Sequence, residues 1–192
     1  MQELIHFTVQ KIKELLEQFN EVQALYLSKS FDFDTRFDAF LNEVLEYFRT
    51  KGNTSHESEV LKIMNMISTV KRGFNPIKME KIMNGRREIL GGFSFNGMES
   101  IYDILMEIYA KENKKLEDAE ELISGIIVSL YQSGILDDEK LKEMNSVPKI
   151  ENFWNSLVEQ NAAISGINKK LRLSIIPEDV FLILEKIFMK LI

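Results

Sequence analysis

Apolar residues recur three and four positions apart along almost the whole chain, and that period commits the backbone to helices. Ile5, Val9, Ile12, Leu16, Phe19 and Tyr26 share one stripe and predict a helix over roughly 2–28. The stretch 31–35 reads as a turn, with Asp34 or Thr35 capping a second helix that carries Phe37, Phe40, Leu41, Val44, Leu45 and Phe48. Lys51, Gly52 and Asn53 stop it. Thr54 and Glu57 have the spacing of a capping box and open a third helix with Val60, Ile63, Met64, Ile67 and Val70. Asn75 and Pro76 then predict a short fourth helix carrying Ile77, Met79, Ile82 and Met83, since the missing proline N–H is not needed in a first turn.

The helical period breaks at 84–97, where fourteen positions hold four of the nine glycines. Glycine permits backbone angles and close approaches closed to other residues, so this segment is expected to be irregular. Beyond it a fifth helix is expected from Ser94 or Asn96, with Met98, Ile101, Leu105 and Ile108 on its apolar face. A sixth spans 116–132 with Gly134 as its stop, and a short seventh spans 137–144. An eighth runs over 149–171, bent at Gly166 and holding Trp154 on its core stripe. A ninth starts at Pro177, where Glu178 and Asp179 suit the helix dipole. The expected class is all-α: a multi-helix bundle of seven to nine mostly antiparallel helices around an irregular glycine-rich segment, with 1–192 as one domain. No hairpin signal or internal repeat argues otherwise.

Chemistry is constrained mainly by what is missing. The sequence has no cysteine, which excludes disulfides, thiolate zinc sites and cysteine nucleophiles and favours a reducing compartment. The first residues lack a basic patch followed by an apolar run, and the apolar stretch 180–192 is far below the roughly 20 residues a bilayer requires. A cytoplasmic protein without a membrane partner is the expectation.

Only two histidines are present. Glu3 and His6 match the Glu-x-x-His spacing of carboxylate-bridged metal bundles, but Asn53 stands where a second such pair would need a glutamate before His56. A frayed N-terminal turn is the simpler reading. Asp32, Asp34 and Asp38 suggest a cation loop, yet Arg36 interrupts the alternation and no glycine follows, which leaves helix capping as their role. Neither a nucleophile elbow nor a phosphate loop occurs. Accordingly no catalytic residue, metal ligand or cofactor is named. An enzyme with a carboxylate-based site between helices stays as an alternative.

The net charge of −6 argues against indiscriminate nucleic-acid binding, but it is unevenly spread. Over 71–87 six cations (Lys71, Arg72, Lys78, Lys81, Arg86, Arg87) face one anion, Glu80, leaving the remaining chain at −11. Arginine forks bind phosphate and carboxylate, Gly91 and Gly92 would admit backbone N–H groups, and Phe93 and Phe95 would stack a base if exposed. The candidate partner-binding set is therefore Arg72, Lys78, Lys81, Arg86, Arg87, Gly91, Gly92, Phe93 and Phe95. The competing possibility is that these cations pair with the chain's own carboxylates while the phenylalanines are buried. Ten of the thirteen residues in 180–192 are apolar, which suits either a central helix or a homodimer interface. The functional expectation is a non-enzymatic, homodimeric interaction or regulatory protein acting by surface recognition. Nucleic-acid or phosphate-ligand binding through 71–95 is the alternative.

Overall fold

The stripes read from the sequence become helices in the computed structural model, which describes residues 4–191. Eight helices form among them: α1 (Ile5–Leu27), α2 (Phe33–Thr50), α3 (Thr54–Lys71), α4 (Arg86–Gln132), α5 (Asp138–Glu143), α6 (Val147–Gln160), α7 (Ala162–Leu171) and α8 (Pro177–Leu191). The described residues contain no strand, only an isolated antiparallel bridge between Phe74 and Lys81. The all-α multi-helix expectation holds.

The chain packs as two compact units, with α1 and α4 contributing residues to both. The unit Lys11–Tyr109 has an aromatic core. Ile12, Leu15, Phe19 and Val22 of α1 meet the broad face of α2, where Phe33, Phe37, Phe40 and Phe48 are buried. Val60, Ile63 and Ile67 of α3 and Met98, Ile101 and Leu105 of α4 complete it. Phe19 lies 6.1 Å from Phe40 and Phe33 lies 5.4 Å from Phe37, centroid to centroid, distances at which aromatic pairs attract beyond simple burial. Gly97 is required here: a Cβ at that position would stand 2.7 Å from a methyl of Ile63, so a larger residue would force α4 and α3 apart.

The second unit, described over 4–10 and 110–191, is mostly aliphatic. Leu116, Ile123, Ile127 and Leu130 of α4 pack with Ile150 and Trp154 of α6, Ile164 and Leu171 of α7, and Val180, Ile183, Leu184, Ile187 and Phe188 of α8. The indole N–H of Trp154 donates to Asn168 Oδ1 at 3.1 Å, which satisfies both polar groups inside the core.

Several boundaries differ from the sequence reading. The glycine-rich segment is helical from Arg86 onward, and Gly91, Gly92 and Gly97 lie inside α4. Each helical glycine costs about 1 kcal/mol relative to alanine, and burial of Met98, Ile101 and Leu105 on the same helix outweighs that. The irregular stretch is 72–85 instead, and the short fourth helix over 76–83 does not form. The fifth and sixth helices merge into the 47-residue α4, because the polar run between them contains neither glycine nor proline. The eighth breaks at Asn161, not Gly166: the Asn161 side chain accepts from Ala163 N at 2.9 Å and Ile164 N at 3.2 Å and so starts α7. Asn53, not Thr54, caps α3 through His56 N. Asp32 precedes α2 without a side-chain cap bond, and α2 begins before Asp34 and Thr35. The apolar run of α8 turns one stripe inward and leaves Met189 and Leu191 exposed.

Candidate recognition surface

The 72–85 segment owes its shape to a few local residues. Gly73, at φ +89°, ends α3, and its carbonyl accepts Ile82 N at 2.8 Å. Asn75 N donates to Glu80 O at 2.8 Å, which with the Phe74–Lys81 bridge folds the segment back on itself. Inside this ring the Asn75 side chain accepts from Ile77 N at 2.9 Å and Lys78 N at 3.1 Å. Such an Asx turn offers the backbone an alternative to helix, which is why Pro76 does not start one. Met79 donates its N–H to Asn75 O and stands at φ +56°, a left-handed conformation that costs a non-glycine residue about 1–2 kcal/mol. Gly85, at φ +70°, closes the segment before α4.

This ordered loop presents apolar side chains to solvent. Ile77, Met79 and Met83 are 74%, 76% and 81% exposed, and Phe74 is about half exposed. Between Pro76 and Met79 on one side and the Ser58–Thr69 face of α3 on the other runs an open groove of about 410 Å³, floored by Leu61 and Met66.

The candidate cations divide into two groups. Lys71 is spent on Asp38 at 2.7 Å, and Arg72 reaches the Thr69 hydroxyl at 3.3 Å. Lys78, Lys81, Arg86 and Arg87 are exposed and form no ion pair among the described residues. Arg86 and Arg87 occupy the first turn of α4, the positive end of its dipole, where cations are disfavoured and only Glu88 offsets them.

The remaining predicted residues fare differently. Gly91 and Gly92 lie beyond the first four helical N–H groups of α4, so their amides serve the helix and are not free for a ligand. The Gly91 carbonyl accepts the Tyr26 hydroxyl at 3.2 Å. Phe93 is half-buried, and the partly exposed Phe95 packs its ring 6.1 Å from Tyr26. The structure leaves Lys78 and Lys81 exposed on the loop and Arg86 and Arg87 exposed at the start of α4, and places the two phenylalanines further along α4. Sequence reasoning missed the groove and the apolar tip. Their only signal was the pair Gly73 and Gly85 bracketing Asn75 and Pro76.

In the other unit two carboxylates, Asp179 and Glu120, are answered internally. The fully buried Asp179 carboxylate accepts Ile5 N and His6 N at 3.1 Å each and His6 Nδ1 at 2.7 Å. An ionised carboxylate only accepts, so Nδ1 carries the proton. Burial pushes this acid up, but the imidazole and the two backbone N–H groups outweigh it and hold the group below its usual range. His6 is thus anchored and not frayed; Glu3, its proposed metal partner, lies outside the described residues. Glu120 is lowered by its hydrogen bond to Lys186, against partial burial, with help from Lys190. Tyr131 is raised by its hydrogen bond to Asp138. Among the described residues no cluster of acids and histidines is arranged to hold a metal ion, and no helix is long and apolar enough to cross a membrane. No protein family, curated protein or solved structure matches this chain.

Proposed function

We propose that the protein is a non-enzymatic, cytoplasmic recognition module with a regulatory role, binding an acidic partner protein through the surface formed by Arg72, Lys78, Lys81, Arg86 and Arg87. One observation carries this reading: four exposed cations without a carboxylate partner surround an ordered loop that also exposes Phe74, Ile77, Met79 and Met83. Apolar contacts would supply affinity, the arginine forks charge-assisted hydrogen bonds, and the lysines steering charge. Nucleic acid is less well served, since Phe93 is half-buried and Phe95 already packs on Tyr26. The test is anisotropy of labelled glutamate-rich peptides and of single- and double-stranded oligonucleotides, at low and near-physiological salt, with the wild type and Arg86→Glu/Arg87→Glu. Peptide binding lost on charge reversal supports the reading. Tighter, salt-steep oligonucleotide binding would replace it with nucleic-acid recognition.

A second copy through α8 belongs to the same proposal, supported by Met189 and Leu191, which are 71% and 53% exposed on its outer face. Sedimentation of wild type and Met189→Glu decides it: a dimer dissolved by the substitution agrees, and a monomer at all concentrations contradicts.

A further inference from the structure

We infer that the groove between α3 and the 72–85 loop seats one amphipathic helix of a partner protein, apolar on its inserted stripe and acidic on its flanks. This rests on the recognition reading above and names what fills the site.

The shape argues for a helix. The α3 wall exposes positions 58, 61, 62, 65, 66 and 69, one continuous ridge about 17 Å long at 1.5 Å per residue. Ridges of this spacing receive the i, i+3, i+4 and i+7 side chains of another helix. An extended peptide would instead need backbone hydrogen bonds. The α3 wall has none to give, because its N–H and C=O groups are paired within the helix, and on the loop the N–H groups of Asn75, Met79 and Ile82 are already taken by Glu80, Asn75 and Gly73 carbonyls. A helix arrives with its own backbone satisfied.

The lining is half polar, through Ser58, Lys62, Asn65 and Thr69, and its apolar anchors are Leu61, Met66, Pro76 and Met79. Leu61 and Met66 are half-buried on the floor, and Met79 stands opposite. Glycine would occupy the left-handed position of Met79 without strain, yet the chain places there a side chain that lines the groove. Two methionines give a wall that adapts to the shape inserted.

Charge argues for acidic flanks. Lys78 and Lys81, on either side of the groove-lining Met79 in the loop sequence, are exposed without carboxylate partners, whereas Lys62 on the α3 side is already paired with Glu59 at 3.3 Å. A lipid surface would meet the protruding Ile77 but leave the recessed Leu61 and Met66 uncovered. A nucleic acid would find no aromatic ring along this groove on which to stack.

The test uses the full chain and a fluorescein-labelled peptide with leucines at helical i, i+3 and i+7 spacing and glutamates between. A scrambled peptide of identical composition is the control. At near-physiological salt the patterned peptide should bind saturably and about tenfold or more tighter than the scrambled one. Met79→Gly should weaken the patterned peptide several-fold while leaving the thermal midpoint unchanged or higher. Lys78→Glu/Lys81→Glu should weaken both peptides. Equal binding of the two peptides, both lost on charge reversal, would overturn the groove and leave the recognition reading standing. Absence of binding by either would overturn both. Tighter binding to vesicles of 30% phosphatidylserine in phosphatidylcholine, or to an oligonucleotide of equal charge, would overturn the helical protein occupant.

Discussion

Asp179 and Arg86 each lie in the first turn of a helix, and the chain treats them in opposite ways. Asp179 is an anion at the positive end of α8, fully buried, and its carboxylate also receives the first N–H groups of α1. Burial of the charge is a cost, and the dipole, the two amides and the imidazole together outweigh it. Arg86, with Arg87 beside it, puts cations at the positive end of α4, exposed and without a carboxylate partner. The helix dipole disfavours cations there. The contrast separates charges answered inside the chain, which bear on stability, from charges left exposed beside apolar groups, on which the proposed recognition rests.

The largest effect should come from breaking the satisfied side of the comparison. Asp179→Ala leaves two helix amides and an imidazole without their acceptor, and urea denaturation should show a loss of about 3 kcal/mol. A loss below about 0.5 kcal/mol would mean the contact does not hold α1 to α8. The same carboxylate sets an acid limb. Its folded-state pKa is depressed, so its contribution is present above the unfolded value of about 3.9 and disappears as pH falls through the lower folded value. Asp179→Asn should flatten that part of the stability–pH curve.

Gly97→Ala comes next, at about 1–3 kcal/mol, because the new methyl collides with Ile63 and α4 must shift. A neutral result would show that the two helices have slack. Smaller still is Glu120→Gln. Its two lysine contacts, at 2.6 and 3.2 Å, are solvent-exposed, and screening should limit the loss to less than about 1 kcal/mol.

Much of this fold was legible because its signals are local. The stripe from Ile5 to Tyr26 specifies α1, and the aromatic spacing from Phe37 to Phe48 specifies α2, without reference to any distant residue. The errors fall where distant partners decide. Gly97 looks like a helix breaker until Ile63 of α3 is seen to need the space there, whereas no such neighbour stands against Gly92. The pairing of His6 with Asp179 spans 173 residues, so the sequence around His6 suggests only a loose end. At Asn75 two local outcomes competed, a helix cap and an Asx turn, and the closing bonds to Glu80 and Gly73 selected the turn. The candidate site was half legible. Its cations stand in the sequence as a run, whereas the left-handed Met79 and the groove it lines exist only once the loop has folded against α3.

The most direct test of the contrast is a pair of readings on one variant, Arg86→Glu/Arg87→Glu: urea denaturation and anisotropy with a glutamate-rich amphipathic peptide. Two anions at the positive end of α4 should leave stability unchanged or raise it by up to about 1 kcal/mol. Peptide affinity should fall about tenfold or more. A variant that loses more than about 1 kcal/mol of stability while binding the peptide as the wild type does would contradict the account, because these arginines would then belong to the fold and not to a partner.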